Sequence, residues 1–319
     1  MGAGGRPGKN SMSATSKIMA GLLARPTSTE LQACWELCRL NNNIGFWVVW
    51  LPTAWSIAMA LKAQPELPLR DAAARAALYV PLCFGVKSLI MTVDDLLDYD
   101  IDALVARTRD RALPRGAISR ARAWAFFALQ ASLGVVLACG VLSRTALYAS
   151  MTVWPLYVIY PTCKGLMFKI GVFMGWSDVS VDGSVAWHVL IPVYLGACCW
   201  TLTYETIYQH QDKLDDRRLG IHSPALLCGA QTIPVCTGTA CAFLGLLTYG
   251  GAANGHGALF FGAVAVAGAL LLAALAGTDI DAPADCKNFF LKTPMIGQII
   301  LAGLAADVLW ERAAGWRGV

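Results

Sequence analysis

The stretch VDDLLDYDIDALVARTRDRALPRG, residues 93–116, sets five aspartates within nine positions and four arginines just beyond them, directly after an apolar run. Carboxylates packed this densely are costly beside hydrocarbon, yet hydrocarbon is what the surrounding chain demands. Of 319 residues, 56% are hydrophobic and 14% charged, with a mean hydropathy of +0.53, whereas a soluble domain carries about 25% charged residues. Outward from the quoted stretch, apolar segments of roughly the 17–25 residues that cross a bilayer as a helix recur along the chain. They lie at 44–61, 73–93, 123–142, 145–162, 166–178, 186–207, 230–250, 257–277 and 293–310. The expected fold is therefore all-α, a multi-pass membrane bundle of about nine transmembrane helices. The fifth segment is the weakest, because GLMFKIGVFMGWSDV (165–179) is short and holds Lys169 and Asp178.

Lysine and arginine sort unevenly between the alternate connections. Counting Lys169 in the first turn of the weak fifth segment, eighteen of the 25 fall in the N-terminal segment and in the connections after the second, fourth, sixth and eighth segments, which the positive-inside rule assigns to the cytoplasmic side or its equivalent. The N-terminus is expected on that same cytoplasmic or matrix side. Residues 1–30 read as a disordered tail. They have no acidic residue before Glu30, a composition shared with mitochondrial presequences. Residues 31–319 read as a single membrane domain. The 11 cysteines lack the paired spacing of a zinc site, so neither a structural metal nor a disulfide framework is expected. A net charge of +4 gives no reason to expect a nucleic-acid partner, and nothing in the chain requires an obligate protein partner.

Within the quoted stretch, Asp95, Asp98 and Asp102 are spaced i, i+3 and i+7, one face of a helix continuing from the second segment. A second acidic motif, YQHQDKLDDRRLG (208–220), follows the sixth segment and sets Asp212 and Asp216 four apart, with Tyr208 one turn earlier. Like charges at these spacings repel and need a cation or strong hydrogen-bond donors. Carboxylate oxygens suit magnesium, which is typically held by one or two carboxylates together with substrate phosphates. Two such clusters on one membrane face would clamp a diphosphate. Arg107, Arg111, Lys164 and Lys213 are the expected cations, and Lys87 is a further candidate deeper in the second segment. Each motif alone also reads as a solvated juxtamembrane charge run, and Arg115, Arg120, Arg122 and Arg218 suit anionic headgroups. The conjunction of two motifs on one predicted side favours a site.

These motifs resemble those of the UbiA family of intramembrane prenyltransferases. Asp94, Asp95, Asp98 and Asp102 match the family's first aspartate motif, and DIDALVARTRDRALPRG continues the likeness with Ala112 in place of a proline. Tyr208, Asp212 and Asp216 match the second motif, and CRLNNNIGFW, YPTCKG and DCKNFF add weaker echoes, so the resemblance spans almost the whole chain. It is nearest to the 4-hydroxybenzoate polyprenyltransferase branch, including fungal relatives that farnesylate phenolic or pyrone polyketides. The resemblance implies a helical bundle with a central cavity open to lipid, and transfer of an isoprenyl group, farnesyl by preference, from its diphosphate to an aromatic acceptor. It further implies Mg2+ on Asp95, Asp98 and Asp102 and on Asp212 and Asp216, with Asp95, Asp98, Asp212 and Tyr208 catalytic. Arg107, Arg111, Lys164 and Lys213 would bind the diphosphate, and Arg39, Asn42 and Asn43 the acceptor. RLNNNIG departs from the family's basic and proline pattern at that place. The resemblance points to the endoplasmic reticulum membrane ahead of the mitochondrial inner membrane. Rival expectations are a membrane terpene cyclase on the same fold and, more remotely, a cation transporter.

Overall fold

A computed structural model describes residues 24–41, 43–155 and 169–316. The expected tail through residue 23, Asn42 and Lys164 lie outside the described residues. The elements, in chain order, are α1 (Ser28–Leu37), α2 (Ile44–Ala63), α3 (Leu69–Leu97), α4 (Tyr99–Asp102), α5 (Arg120–Val141), α6 (Arg144–Met151), α7 (Gly171–Val179), α8 (Trp187–Gln209), α9 (Lys213–Leu219), α10 (Pro224–Cys228), α11 (Thr232–Ala253), α12 (Ala258–Ala276) and α13 (Pro283–Trp316). No strand occurs among the described residues.

Six described helical segments are long and apolar enough to cross a membrane. They correspond to α2, α3, α5, α10 with α11, α12 and most of α13. Helix α8 has the length, at 23 residues, but its Thr, Tyr, His and Glu content keeps it out of that set. The fourth and fifth expected spans are described only as the short α6 and α7, so the expectation of nine crossings is not established. Helix α1 starts three residues inside the segment read as a tail. Thr27 caps it by accepting from Glu30 N, and Glu30 reaches back to Thr27 N at 2.9 Å, a capping box that supplies partners for exposed helix-end amides.

The bundle core is aromatic where α2, α8 and α11 meet. Trp55 and Trp200 lie 5.4 Å apart between ring centroids, Trp200 stacks on Phe243 at 5.6 Å, and Trp55 Nε1 donates to Gly297 O of α13 at 3.0 Å. Around it α8 packs along α11, α12 along α13, and α2 touches α3, α7 and α13. Helix α5 is scarcely covered by protein, since only Ala123 and Ala138 are buried; a helix apolar all round without protein cover belongs in lipid.

Each end of the bundle is tied by polar contacts, and these fix which helix ends lie together. At one end Arg122 pairs with Glu30 at 3.0 Å, and Arg107, after α4, pairs with Asp212, after α8. At the other, Arg75 near the start of α3 donates to Val141 O at 2.7 Å and to Asp178 at 3.3 Å. There too, buried His256 meets Asp307 through Nδ1 at 2.9 Å. The ends of α3 and α8 therefore share one face of the bundle.

The weak fifth segment holds its place through two glycines. A Cβ at Gly171 would stand 2.1 Å from Thr53 Oγ1, and one at Gly175 would stand 2.5 Å from Thr53 O. This is the small-xxx-small spacing by which membrane helices approach closely without a solvent-driven hydrophobic effect. Nine residues of α7 thus gain a tight seat on α2, and their position sets that of Lys169 just before them. Gly175→Val is expected to lower stability by roughly 1–3 kcal/mol or prevent folding, read as a fall in melting temperature in detergent. Gly238→Ala, where an added Cβ meets nothing within 4 Å, should leave it unchanged.

Candidate functional site

The second apolar helix does not run on through the first motif. Helix α3 ends at Leu97, Asp98 caps it with φ −85° and ψ 4°, and α4 begins at Tyr99. Carboxylates at a helix C-terminus oppose the negative end of the helix dipole, so a run of them favours this break over the single helix expected from spacing. The inward gathering survives the break, as Asp95, Asp98 and Asp102 are 3%, 8% and 6% exposed. The second motif breaks likewise. Helix α8 ends at Gln209, a short 3-10 turn spans His210–Asp212, and Asp212 stands at the N-cap of α9.

Arginines bind this acidic surface together. Arg111 Nη1 donates to Asp95 at 3.1 Å and to Asp102 at 2.6 Å. Arg39 Nη2 donates to Asp95 at 2.5 Å and lies 4.0 Å from Asp94. Arg107 grips Asp212 with two bonds, Nε to Oδ1 at 2.7 Å and Nη2 to Oδ2 at 2.5 Å, the fork geometry that makes arginine–carboxylate pairs strong. Its guanidinium also lies 5.8 Å from the Tyr208 ring centroid, and Tyr208 packs on Phe290 at 4.3 Å. The residues expected as catalytic or diphosphate-binding in the two motifs are thus brought to one place, apart from Lys213. Burial works against the Arg107 charge, but the bonds to Asp212 together with the nearby Tyr208 and Asp102 outweigh it, so its pKa is raised. The Asp102 carboxyl is pushed up by burial, only partly countered by Arg111, and Asp95 adds to the rise.

Several expected residues take other places. Lys213 turns to the connection between α12 and α13, donating to Ile280 O at 3.1 Å and pairing with Asp281. Asp216 is half-buried on α9, and Asn43 is exposed at the start of α2. Arg39, expected to meet an acceptor, is committed to Asp95. Its backbone has a positive φ of 49°, a conformation costly for a side-chain-bearing residue. Lys87 explains how it is held: its buried ammonium donates to Cys38 O at 2.8 Å and to Arg39 O at 2.7 Å. Lys87 is therefore a buttress of the turn that aims Arg39, and no diphosphate ligand follows from its contacts.

The donor set suits magnesium in kind, since the carboxylates offer hard oxygens. Among the described residues no three His, Cys, Asp or Glu side chains converge into a closed metal cage. The expected triad of Asp95, Asp98 and Asp102 is a buried patch without such a cage. Magnesium needs only one or two carboxylates when phosphate oxygens complete its shell, so the patch fits a metal that arrives with a diphosphate.

Beneath the patch lies a cavity of about 440 Å3, bordered by Val49, Leu82, Val86, Ile90, Phe127 and Met174 among others. Ligand pockets commonly span about 300–1,000 Å3. Ile90 precedes Asp95 by five residues, about 7.5 Å of helix rise, so the apolar chamber adjoins the acidic end. The expected cavity is present; sequence reading did not identify Lys169 or Gln130 on its wall. In the sequence Lys169 reads as a sign of a weak span and as one of the charges sorted to the cytoplasmic side.

A model of the UbiA prenyltransferase family matches residues 49–296. The chain is 33% identical over 297 residues to the mitochondrial 4-hydroxybenzoate polyprenyltransferase of Aedes aegypti, covering 86% of this chain and 63% of that protein's length. Among solved structures, the apo form of a UbiA homolog from Aeropyrum pernix K1 superposes with a TM-score of 0.62 at 27% identity, covering 82% of this chain and 97% of that one. A UbiA homolog from Archaeoglobus fulgidus bound to DMAPP and Mg2+ superposes with a TM-score of 0.60 at 14% identity, covering 86% of this chain and 98% of that one.

The Arg107–Asp212 pair joins the two motifs, so its coupling is measurable. A double-mutant cycle of Arg107→Ala and Asp212→Ala, followed by thermal unfolding in nanodiscs, should return about 1 kcal/mol of coupling. Strictly additive effects would contradict the pairing.

Proposed function

The chain belongs to the UbiA prenyltransferase family, and on that premise we propose that it transfers an isoprenyl group from its diphosphate to an aromatic hydroxy acid of the 4-hydroxybenzoate type. The observation that carries the reading is the Arg107–Asp212 contact, which draws the first acidic motif's loop onto the second motif above an apolar chamber. The name of the Aedes relative supports the acceptor class, and the ligands of the Archaeoglobus homolog support the donor and the metal. Farnesyl as the chain transferred, and phenolic or pyrone acceptors of secondary metabolism, remain narrower variants of the same reaction.

In this reading Asp95, Asp98 and Asp102, with Asp212 and Asp216, hold magnesium, which when bound neutralises charge on the diphosphate. Arg107 and Arg111 take up diphosphate oxygens, exchanging carboxylate partners for phosphate ones, and so stabilise the charge that grows as the allylic carbon–oxygen bond breaks. Tyr208, fixed against Phe290, faces the leaving group or steadies the allylic cation with its ring. Lys164 is a further proposed diphosphate ligand. Lys213 is a weaker one, since Asp281 already engages it. The apolar chamber keeps water from the cation while an aromatic carbon forms the new bond and the ring proton is released.

The protein is a multi-pass membrane protein. The mitochondrial name of the Aedes relative does not favour the endoplasmic reticulum, and the mitochondrial inner membrane becomes the proposed location.

Replacing Asp95 with alanine would remove the oxygen that accepts from Arg39 and Arg111 as well as the charge; asparagine keeps the shape and an acceptor oxygen and is the cleaner probe. Asp95→Asn and Asp212→Asn should each lower transfer of a labelled isoprenyl group to 4-hydroxybenzoate by at least about 100-fold while remaining folded in membranes. Chelation with EDTA should abolish wild-type turnover, and added Mg2+ should restore it. Full activity in either variant would refute the assignment. Release of a hydrocarbon from the diphosphate alone would favour cyclisation.

A further inference from the structure

The chamber wall is built almost wholly of aliphatic and aromatic side chains, and among its lining residues Lys169 is the one charged group. Lys169 is 4% exposed. Its Nζ donates to Val48 O at 2.8 Å and to the Tyr204 hydroxyl at 3.3 Å. The Tyr204 hydroxyl donates onward to Thr201 Oγ1 at 3.3 Å, and Thr201 to Ala197 O at 3.0 Å. Every donor in that chain runs one way, so the tyrosine oxygen is fixed as an acceptor for the ammonium.

An ammonium has three N–H donors. Among the described residues two are used, and Lys169 forms no ion pair there, although Glu205 on α8 acts on it electrostatically from beyond ion-pair distance. Burying a cation in an apolar chamber without a directly paired counter-ion is unfavourable, and an ionisable group inside a membrane protein points first to a ligand or ion site. A second polar group lines the same chamber from α5. Gln130 donates from Nε2 to Cys38 Sγ at 3.2 Å, while its Oε1 is buried with no hydrogen-bond partner. The chamber thus offers one buried cation with a donor to spare and one buried acceptor left over.

We propose that Lys169 binds the carboxylate of the aromatic hydroxy-acid acceptor inside this chamber. The third ammonium N–H makes a charge-assisted bond to the acid, and Gln130 Oε1 accepts from the phenolic hydroxyl. The inference rests on the proposed transfer for the identity of its ligand. It moves acceptor recognition away from Arg39, whose guanidinium is held by Asp95, and onto a residue of the weak fifth segment. A long aliphatic tail has no use for either polar group, which leaves the acceptor as the matching ligand.

The test is direct binding of labelled 4-hydroxybenzoate to the full chain in nanodiscs, with no isoprenyl diphosphate present, so that a failure of transfer and a failure of recognition are read separately. Wild-type protein should bind the acid, and methyl 4-hydroxybenzoate, which lacks the charge, should compete at least about tenfold more weakly. Lys169→Met should weaken binding of the acid at least about tenfold and leave the ester unaffected. Lys169→Arg should retain binding of the acid to within a few-fold. Should the methionine variant fail to fold, the wild-type preference for acid over ester and the arginine variant still decide the matter. Equal competition by acid and ester, undiminished acid binding by Lys169→Met, or no binding by the wild type would each overturn the proposal.

Discussion

An aspartate cluster at the edge of a bilayer is tolerable only when its charge is answered, and the arginines that answer it organise this end of the molecule. Asp95 receives both Arg39 and Arg111, Asp102 shares Arg111, and Asp212 is gripped by Arg107. Because those arginines come from the α1–α2 turn and the loop after α4, the pairs draw in separate parts of the chain around the ends of α3 and α8. Arginine suits this task, since its guanidinium stays charged when partly buried and its fork can serve a carboxylate or a phosphate equally. A surface held by such pairs can give up a carboxylate contact for a phosphate one without losing its cations.

Below that surface the packing serves a different end. The aromatic cluster of Trp55, Trp200 and Phe243 fills the bundle on one side, whereas the region between α3, α5 and α7 leaves an open apolar chamber. The close glycine seat of α7 on α2 sets one wall, and the loosely covered α5 forms another that faces lipid. A hydrophobic donor tail and a polar diphosphate can then be accommodated in adjoining volumes, one dry and one wet. Lys87 contributes by holding the strained Arg39 turn, which steadies one of the arginines of the ion-pair surface.

Much of this was legible in the chain. Hydropathy gave the positions of the long helices, and helical spacing singled out Asp95, Asp98, Asp102, Asp212 and Asp216. What escaped were effects set by contacts distant in sequence or by local competition. The break at Asp98 leaves the aspartate spacing unchanged, so periodicity alone cannot reveal it. Arg39 and Asp95 are 56 residues apart, and Lys213 and Asp281 are 68 apart, so no local pattern predicts that the first meets Asp95 or that the second turns to Asp281. Gly171 and Gly175 carried a usable signal, a four-residue small-residue spacing, but low apolar length masked it. Lys169 lowered the hydropathy of its segment and so read as a flaw, although a charge in such a segment is also a reason to look for a ligand.

The claim on which all of this turns is that both acidic motifs act on one metal–diphosphate unit. It is tested most directly by replacing Mg2+ with Mn2+ and measuring bound Mn2+ by electron paramagnetic resonance, with a non-reactive isoprenyl thiodiphosphate present. The account predicts that bound Mn2+ depends on the diphosphate analogue and is lost on Asp95→Asn and, separately, on Asp212→Asn. Retention of the full bound signal by either variant, with the protein folded, would contradict it.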